Sequence, residues 1–347
     1  MANGFLHTQI WGLDNMMSLE DVIGLMHSMD YSEKIHYLEG KDDLSINDIS
    51  LNHCWEKPSE IKCFSTANKK ENEVVRYFSN VGIIEVPIPE NDAYIDPERT
   101  KLLPRDRRIK VHKVNTIFFE YFQKVYAIVF GSKNDVKIKS VLMGQGYRER
   151  KKKEWGKVEF PLPQYQLSSE FFYWMYYKYL KQQNLTTPHG VIKINDVEGI
   201  GRYSDRKQHD TRGTGPKSTS ELSNMTALGI NQLVYKSDFN LTYENSIRVN
   251  FCLNTDSSLT IDKKRSLITK SNEVPEGISG NEEFILLKFY LDILPGLSRA
   301  YSIDQDNGSW SESHSRKARK EYALEVIRDL CSIHNIKPEE ISGLQPV

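Results

Sequence analysis

The 347-residue chain has few cysteines, no long apolar run and no nucleotide-cradle motif, and each shortage removes a class of protein. Its four cysteines, Cys54, Cys63, Cys252 and Cys331, are too scattered for the disulfide framework of a small secreted domain, so reduced thiols are expected. His53 and Cys54, with Cys63 further on, miss the close pairwise ligand spacing of structural zinc sites. No apolar stretch approaches the roughly 18 to 20 residues that span a bilayer. Met1 to Met17 has neither a basic stretch nor a long apolar core, which argues against a cleaved secretory signal. A cytoplasmic location follows as the expectation, and the acceptor patterns Asn184-Leu-Thr186 and Asn240-Leu-Thr242 then carry no glycosylation meaning.

The chain does carry ample core material, with 39% hydrophobic and 11% aromatic residues, and 27% charged residues supply a polar surface. Its length favours two domains. The net charge of −1 conceals two opposed regions. Arg99 to Lys157 holds seventeen Lys and Arg against five Asp and Glu, whereas Asp14 to Lys62 holds eleven acids against four lysines. A concentrated basic segment suits a polyanion; the competing expectation is that it pairs internally with the acidic N-terminal region.

Periodicity divides the chain near residue 158. In the first part, Leu19, Val22, Ile23 and Met26 recur at helical spacing over Leu19 to Met29, and Val81 to Val86 is a short apolar run. Prolines from Pro87 to Pro104 predict extended chain or a long loop. In Arg108 to Val114, Ile109 and Val111 alternate with Arg108, Lys110 and His112, which predicts a strand with one apolar and one cationic face. Ile117 to Phe122 and Val125 to Phe130 read as a hairpin, and Val136 to Met143 as a short helix capped by Asn134-Asp135 and stopped by Gly144 and Gly146. Tyr147 to Lys153 is a basic loop or hairpin tip.

In the second part, Ser168 or Ser169 opens an aromatic helix from Phe171 to Leu180; a helix apolar all round is a core element before it is a base-stacking platform. Val191 to Ile194 reads as a strand entering a polar loop, Gly199 to Ser218. A helix near Ser220 to Leu228, strands at Ser246 to Leu253 and Leu259 to Ile261, and an apolar helix or strand at Phe284 to Leu294 follow. Ser315 to His334 closes as an amphipathic helix with Tyr322, Val326, Leu330 and Ile333 on one stripe. The fold class expected is α+β, two domains with mostly antiparallel sheets flanked by helices: an N-terminal domain over 1–158 and a C-terminal domain over 159–347 with the basic loop 199–218.

Three constellations could carry chemistry. The loop from Gly199 to Thr219 combines glycines, hydroxyls and cations suited to phosphate, but Pro216 stands before Lys217 where a Walker A loop needs glycine. Arg202, Arg206, Lys207, Arg212 and Lys217 therefore read as mobile phosphate contacts rather than a nucleotide pocket. Asp135, Glu149 and Lys151 are the candidates for a metal-dependent nuclease, in which an acidic residue and Glu-x-Lys would hold magnesium and activate water. The third is the basic segment itself, where Arg105, Arg107, Arg108 and Lys110, with the tip residues Arg148, Arg150, Lys151, Lys152 and Lys153, could track a phosphate backbone through counterion release. His209-Asp210 with Ser204 or Ser218 does not define a triad by adjacency alone, and the Asp304, Asp306, Gly308 run has its glycine one position early for an EF-hand.

The run Val125-Tyr-Ala-Ile-Val-Phe-Gly-Ser-Lys-Asn-Asp-Val-Lys-Ile-Lys-Ser-Val-Leu-Met-Gly-Gln-Gly146 resembles a segment of the RexA-type phage-exclusion proteins, in which a strand ending in a glycine turn leads into a short helix closed by a glycine pair. The later order is also similar: a strand, a polar loop around Gly213 and Gly215, a helix near Leu222 to Leu228 and a strand at Ile247 to Leu253. The resemblance covers the middle half of the chain, rests on layout more than identities and transfers no catalytic residue. It implies a dimeric two-domain α+β protein that binds DNA with little sequence preference, senses or obstructs phage replication, and works with a separately encoded membrane partner. The longer N-terminal region departs from that pattern and puts a shared oligomer in doubt.

The leading expectation is thus a cytoplasmic, non-enzymatic protein that binds double-stranded DNA in phage defence, with no cofactor, a homodimer and a membrane or effector partner. The alternatives are a magnesium-dependent nuclease and a protein-interaction component with segregated acidic and basic surfaces.

Overall fold

Alternating apolar and polar residues dominate the computed structural model, which describes residues 4–28, 31–41, 43–67, 74–131, 141–143, 152–203, 210–214, 219, 222–269, 276–337 and 340, without the side chains of 28, 31, 152, 153, 210–212 and 276. The chain forms two units, one of His7–Ser65 with Glu73–Leu162, the other of Pro163–Val347 with Met1–Leu6 and Thr66–Asn72. Both have the mixed α+β character expected, with antiparallel pairing throughout the paired strands.

In the first unit the elements are β1 (Phe5–Leu13), whose first two residues fall in the other unit, α1 (Leu19–Ser28), β2 (Tyr31–Lys34), α2 (Ile46–Ile49), β3 (Ser50–Trp55), β4 (Lys62–Ser65) and β5 (Val74–Pro87). They continue with α3 (Arg105–Arg108), β6 (Ile109–Tyr121), β7 (Lys124–Phe130), α4 (Lys152–Trp155) and β8 (Val158–Glu159). The strand order is β1-β7-β6-β5-β3-β2, with β4 on β5 and β8 on β1. Helix α1 starts where Ser18 and Asp21 exchange side-chain-to-backbone bonds, 3.0 and 3.2 Å, satisfying two free amides at once. Its Leu19, Val22 and Met26 then join a core of Trp11, Trp55, Phe78, Phe118 and Trp155. Phe118 stacks on Phe78 at 5.2 Å and meets Trp55 edge-on at 5.6 Å.

The expected hairpin of Ile117 to Phe130 is the end of a longer strand, β6, turning into β7. Its two turn residues, Phe122 and Gln123, both lie in the left-handed region at φ 49° and 57°. A two-residue turn of that kind suits Asn-Gly, because each bulkier residue is strained there. Replacing Phe122-Gln123 by Asn-Gly is expected to stabilise the protein by about 1 kcal/mol, read as a higher urea midpoint at unchanged slope; a lower midpoint would mean that the Phe122 ring, 4.3 Å from that of Tyr121, outweighs the backbone strain.

The expected strand at Arg108 to Val114 needs correction. Arg108 ends α3 and is buried, Ile109 is buried, and Val111 is 55% exposed. The reason is pairing: among the described residues, 109–115 of β6 are bonded to β5 alone, and β7 joins only from Thr116 onward, so no second described strand flanks Val111. The helix expected at Val136 to Met143 lies outside the described residues except for 141–143.

The second unit contains α5 (Ser169–Leu180), β9 (Asn184–Thr187), β10 (Gly190–Tyr203), β11 (Asp210–Thr214), α6 (Leu222–Gly229), β12 (Val234–Tyr243), β13 (Ile247–Asn254), β14 (Leu259–Asp262), β15 (Leu267–Ile268) and β16 (Glu276–Gly277). After these come α7 (Glu282–Lys288), a π-helical turn Phe289–Ile293, α8 (Leu294–Asp306) and α9 (Glu312–His334). Strands run in the order β11-β10-β12-β13-β14, with β9 on β10, β15 on β13 and β16 on β15. Ser168 caps α5 by accepting from Phe171 N at 3.1 Å, and Phe171 to Tyr176 are all buried, with Phe172 and Tyr176 against Phe239 of β12. Helix α5 is core.

Phe284 to Leu294 resolves as helix. On α9, Tyr322 and Val326 are buried, but Leu330 and Ile333, expected on the same stripe, are 38% and 62% exposed. Within the polar loop expected over Gly199 to Ser218, residues 199–203 and 210–214 are paired strand instead: Gly199 pairs with Thr214 and Tyr203 with Asp210, and the rest lies outside the described residues. No helix among the described residues is long and apolar enough to cross a membrane.

Candidate nucleic-acid interface

Of the cations expected to meet phosphate, those in the first unit separate into internal and external sets. Arg108 is 1% exposed; its Nε donates to Leu103 O at 2.8 Å and its Nη2 to Asp48 at 3.1 Å. Arg105 is half-buried, donating to Glu85 at 2.6 Å and to Ser50 O at 3.1 Å. Both guanidinium groups are committed to the fold, and neither offers its charge to a polyanion. Lys113, on β6, reaches Glu56 at 2.8 Å. Asp48 and Glu56 belong to the acidic N-terminal segment, so part of the segregated charge closes on itself. Arg107 and Lys110 remain exposed and make no ion pair among the described residues. His112 is half-buried beside them. Lys152 and Lys153 lie in α4, without described side chains. Arg148, Arg150 and Lys151 fall outside the described residues, as do the nuclease candidates Asp135 and Glu149 and the loop cations Arg206, Lys207 and Lys217.

In the second unit, Arg202 is 9% exposed and bonded to Asn224 and to Ser223 O, so it is not a mobile surface contact. Arg212 sits on β11 opposite Gly201, with its side chain outside the description.

The second unit also presents a surface that no sequence motif marks. Phe239, Leu241 and Tyr243 of β12 and Val249, Phe251 and Leu253 of β13 point to the helix-covered core, so the intervening residues occupy the opposite face. Register rows run across it: Lys193, Thr242 and Arg248; Asp238, Cys252 and Thr260; Lys236 and Asn254. Two β-bulges in β10 turn Asn195 and Glu198 toward this face. Asn195 Nδ2 donates to Asn240 at 2.9 Å and to Thr242 at 2.8 Å. Glu198 is clamped by Arg265 through two 2.5 Å bonds and accepts from Asn250 at 2.9 Å. That hydrogen-bonded pairing holds the Arg265 guanidinium above its usual pKa.

Gly199 and Gly201 lie at close approach to side chains of β12. A Cβ on Gly199 would fall 2.0 Å from an Asp238 oxygen, and one on Gly201 would fall 2.5 Å from Lys236 Cγ. The Lys236 ammonium extends over the Tyr235 ring at 5.3 Å.

Glu198 is neutralised by Arg265, and Asp262 accepts from the amides of Lys264 and Arg265 at 2.9 and 3.3 Å. Lys193, Lys236 and Arg248 have no ion pair among the described residues. The face therefore presents these three cations among amide and hydroxyl groups, together with the carboxylates of Asp238 and Asp262, and cations so placed can position a phosphate backbone. The signal available in the sequence was the two-residue period of polar residues at Lys236, Asp238, Asn240 and Thr242, interleaved with the inward residues.

Among the described residues no group of three His, Cys, Asp or Glu side chains is arranged to hold a metal ion. His53 is buried in β3 with Nε2 3.5 Å from Glu33, and the four cysteines are free thiols. No protein-family model and no curated protein matches this chain.

Proposed function

We propose that the chain is a sequence-nonspecific DNA-binding protein acting in phage defence, and that Lys193, Lys236 and Arg248 on the open face of β10, β12 and β13 are principal phosphate contacts. The observation that carries this reading is the three cations left without ion pairs among the described residues, on a face whose Glu198 is already held by Arg265. Arg107 and Lys110 supply two further exposed cations in the first unit. The RexA-type resemblance adds the phage-exclusion role, a homodimer and a membrane or effector partner.

Sequence-independent contacts of this kind act through counterion release, so affinity should fall steeply with salt. The test titrates protein into labelled double-stranded DNA across a salt series, with and without magnesium, and examines the same samples on a denaturing gel. Wild type should bind and leave the DNA intact. The triple variant Lys193→Ala, Lys236→Ala, Arg248→Ala should lower the slope of log K against log salt by about 3 and weaken binding roughly 10²- to 10³-fold at 0.1 M salt. An unchanged slope would remove this face from the interface. Magnesium-dependent cleavage would favour the nuclease, and no binding at low salt would leave the protein-interaction component.

A further inference from the structure

Arg202 presents a physical anomaly on the other side of the same sheet. Its side chain is more than nine-tenths buried, yet no carboxylate lies within ion-pair distance among the described residues. Its contacts are neutral: Nη1 donates to Asn224 Oδ1 and Nη2 to Ser223 O at 3.4 Å. A buried cation without a counter-charge is costly, because desolvation is not offset by a Coulombic partner. Burial accordingly draws the guanidinium below its usual pKa. A guanidinium carries five N–H donors, and these two contacts use two of them.

The surroundings are suited to an anion. Ser223 and Asn224 lie in the first turn of α6, where backbone amides have no acceptor within the helix and the dipole favours negative charge. Thr219, just upstream, is 1% exposed, and its hydroxyl has no hydrogen-bond partner. Asn224 is fully buried and lies close against Gly213 of β11, where a Cβ would collide with the Asn224 side chain. A buried guanidinium without a counter-ion among the described residues thus meets the first turn of α6, and an orphaned buried hydroxyl lies three residues before that helix in sequence.

We propose that Arg202, with the first turn of α6 and Thr219, forms a binding site for a phosphate oxyanion. The planar guanidinium fork matches phosphate geometry, and the ligand supplies a counter-charge that no described residue gives Arg202. The site is separate from the open sheet face, since Arg202 reaches α6 on the helix-covered side. Two sources share this chemistry, a free phosphorylated small molecule and the 5′-phosphate end of a nucleic-acid strand.

The test measures thermal unfolding of the full chain at matched ionic strength with inorganic phosphate, AMP, and one short single-stranded oligonucleotide made with and without a 5′-phosphate. A hundredfold excess over Kd should raise Tm by about 5–10 °C. A shift with phosphate and AMP assigns the small-molecule source; a shift confined to the 5′-phosphorylated strand assigns the strand end. Arg202→Met should abolish the shift. Asn224→Asp places a carboxylate beside the guanidinium, so it should raise Tm without any ligand and remove the response; it keeps the test decisive if Arg202→Met does not fold. No shift in wild type with any of the four probes, or a wild-type shift retained in Asn224→Asp, would overturn the assignment.

Discussion

Replacing Asp292 by Ala should cost about 3–5 kcal/mol of stability, the range for breaking a buried ion pair. The carboxylate is 0% exposed and sits in the π-helical turn Phe289–Ile293. It accepts from Lys288 Nζ at 2.6 Å and from Ala67 N at 2.8 Å, with His189 Nδ1 3.9 Å away. Removing it strips the Lys288 ammonium, only 12% exposed, of its carboxylate and leaves the Ala67 amide without this acceptor. Both losses are desolvation penalties with nothing in return. Asp292→Asn keeps an acceptor for the amide and should fall between Ala and wild type. The double variant Lys288→Met, Asp292→Leu should recover much of the loss, because a packed apolar pair of similar size avoids both penalties. Urea unfolding followed by circular dichroism measures all three. If Asp292→Ala lies within about 1 kcal/mol of wild type, comparable to an exposed pair, solvent reaches the carboxylate and the pair is peripheral.

How much of this was legible in the chain depended on how local the determining physics is. Helix α5 could be read because its cap, Ser168, and its buried run, Phe171 to Tyr176, are contiguous. The β6–β7 hairpin and β13 were equally readable from short aromatic and β-branched runs. Strand β12 escaped because Lys236, Asp238 and Asn240 break any apolar run, and only the inward residues Ser237, Phe239 and Leu241 show that the segment is half core. The end of the α9 stripe misled for another reason: periodicity identifies Leu330 and Ile333 as one face but not whether anything packs there. For the site, a count of cations could not separate Arg107 from Arg108. Pro104 begins a helical turn through Arg105 to Arg108, which removes Arg108 from the strand and aims it at Asp48, sixty residues away in sequence. Arg202 and Asn224 likewise meet only through the fold.

Arg108 also gives the sharpest contrast between a phosphate contact and a structural cation. A surface contact would lose DNA affinity on truncation and keep its stability; a buried one would do the reverse. Arg108→Ala removes a side chain that is 1% exposed and bonded to Leu103 O and Asp48, next to the buried cluster of Ile35, Leu38, Leu51 and Ile109. The Asp48 carboxylate left behind is 42% exposed and can rehydrate, which places the cost at the low end for a broken pair, about 2–3 kcal/mol. The salt slope of DNA binding should not move. Lys110→Ala, two residues on and exposed, should leave the unfolding midpoint unchanged and lower that slope by about 1. Measured together, the two variants set the boundary of the basic segment: a slope change in Arg108→Ala without loss of stability would return Arg108 to the surface, and the opposed pair of outcomes would leave the unpaired outward charge at the α3–β6 junction to Arg107 and Lys110.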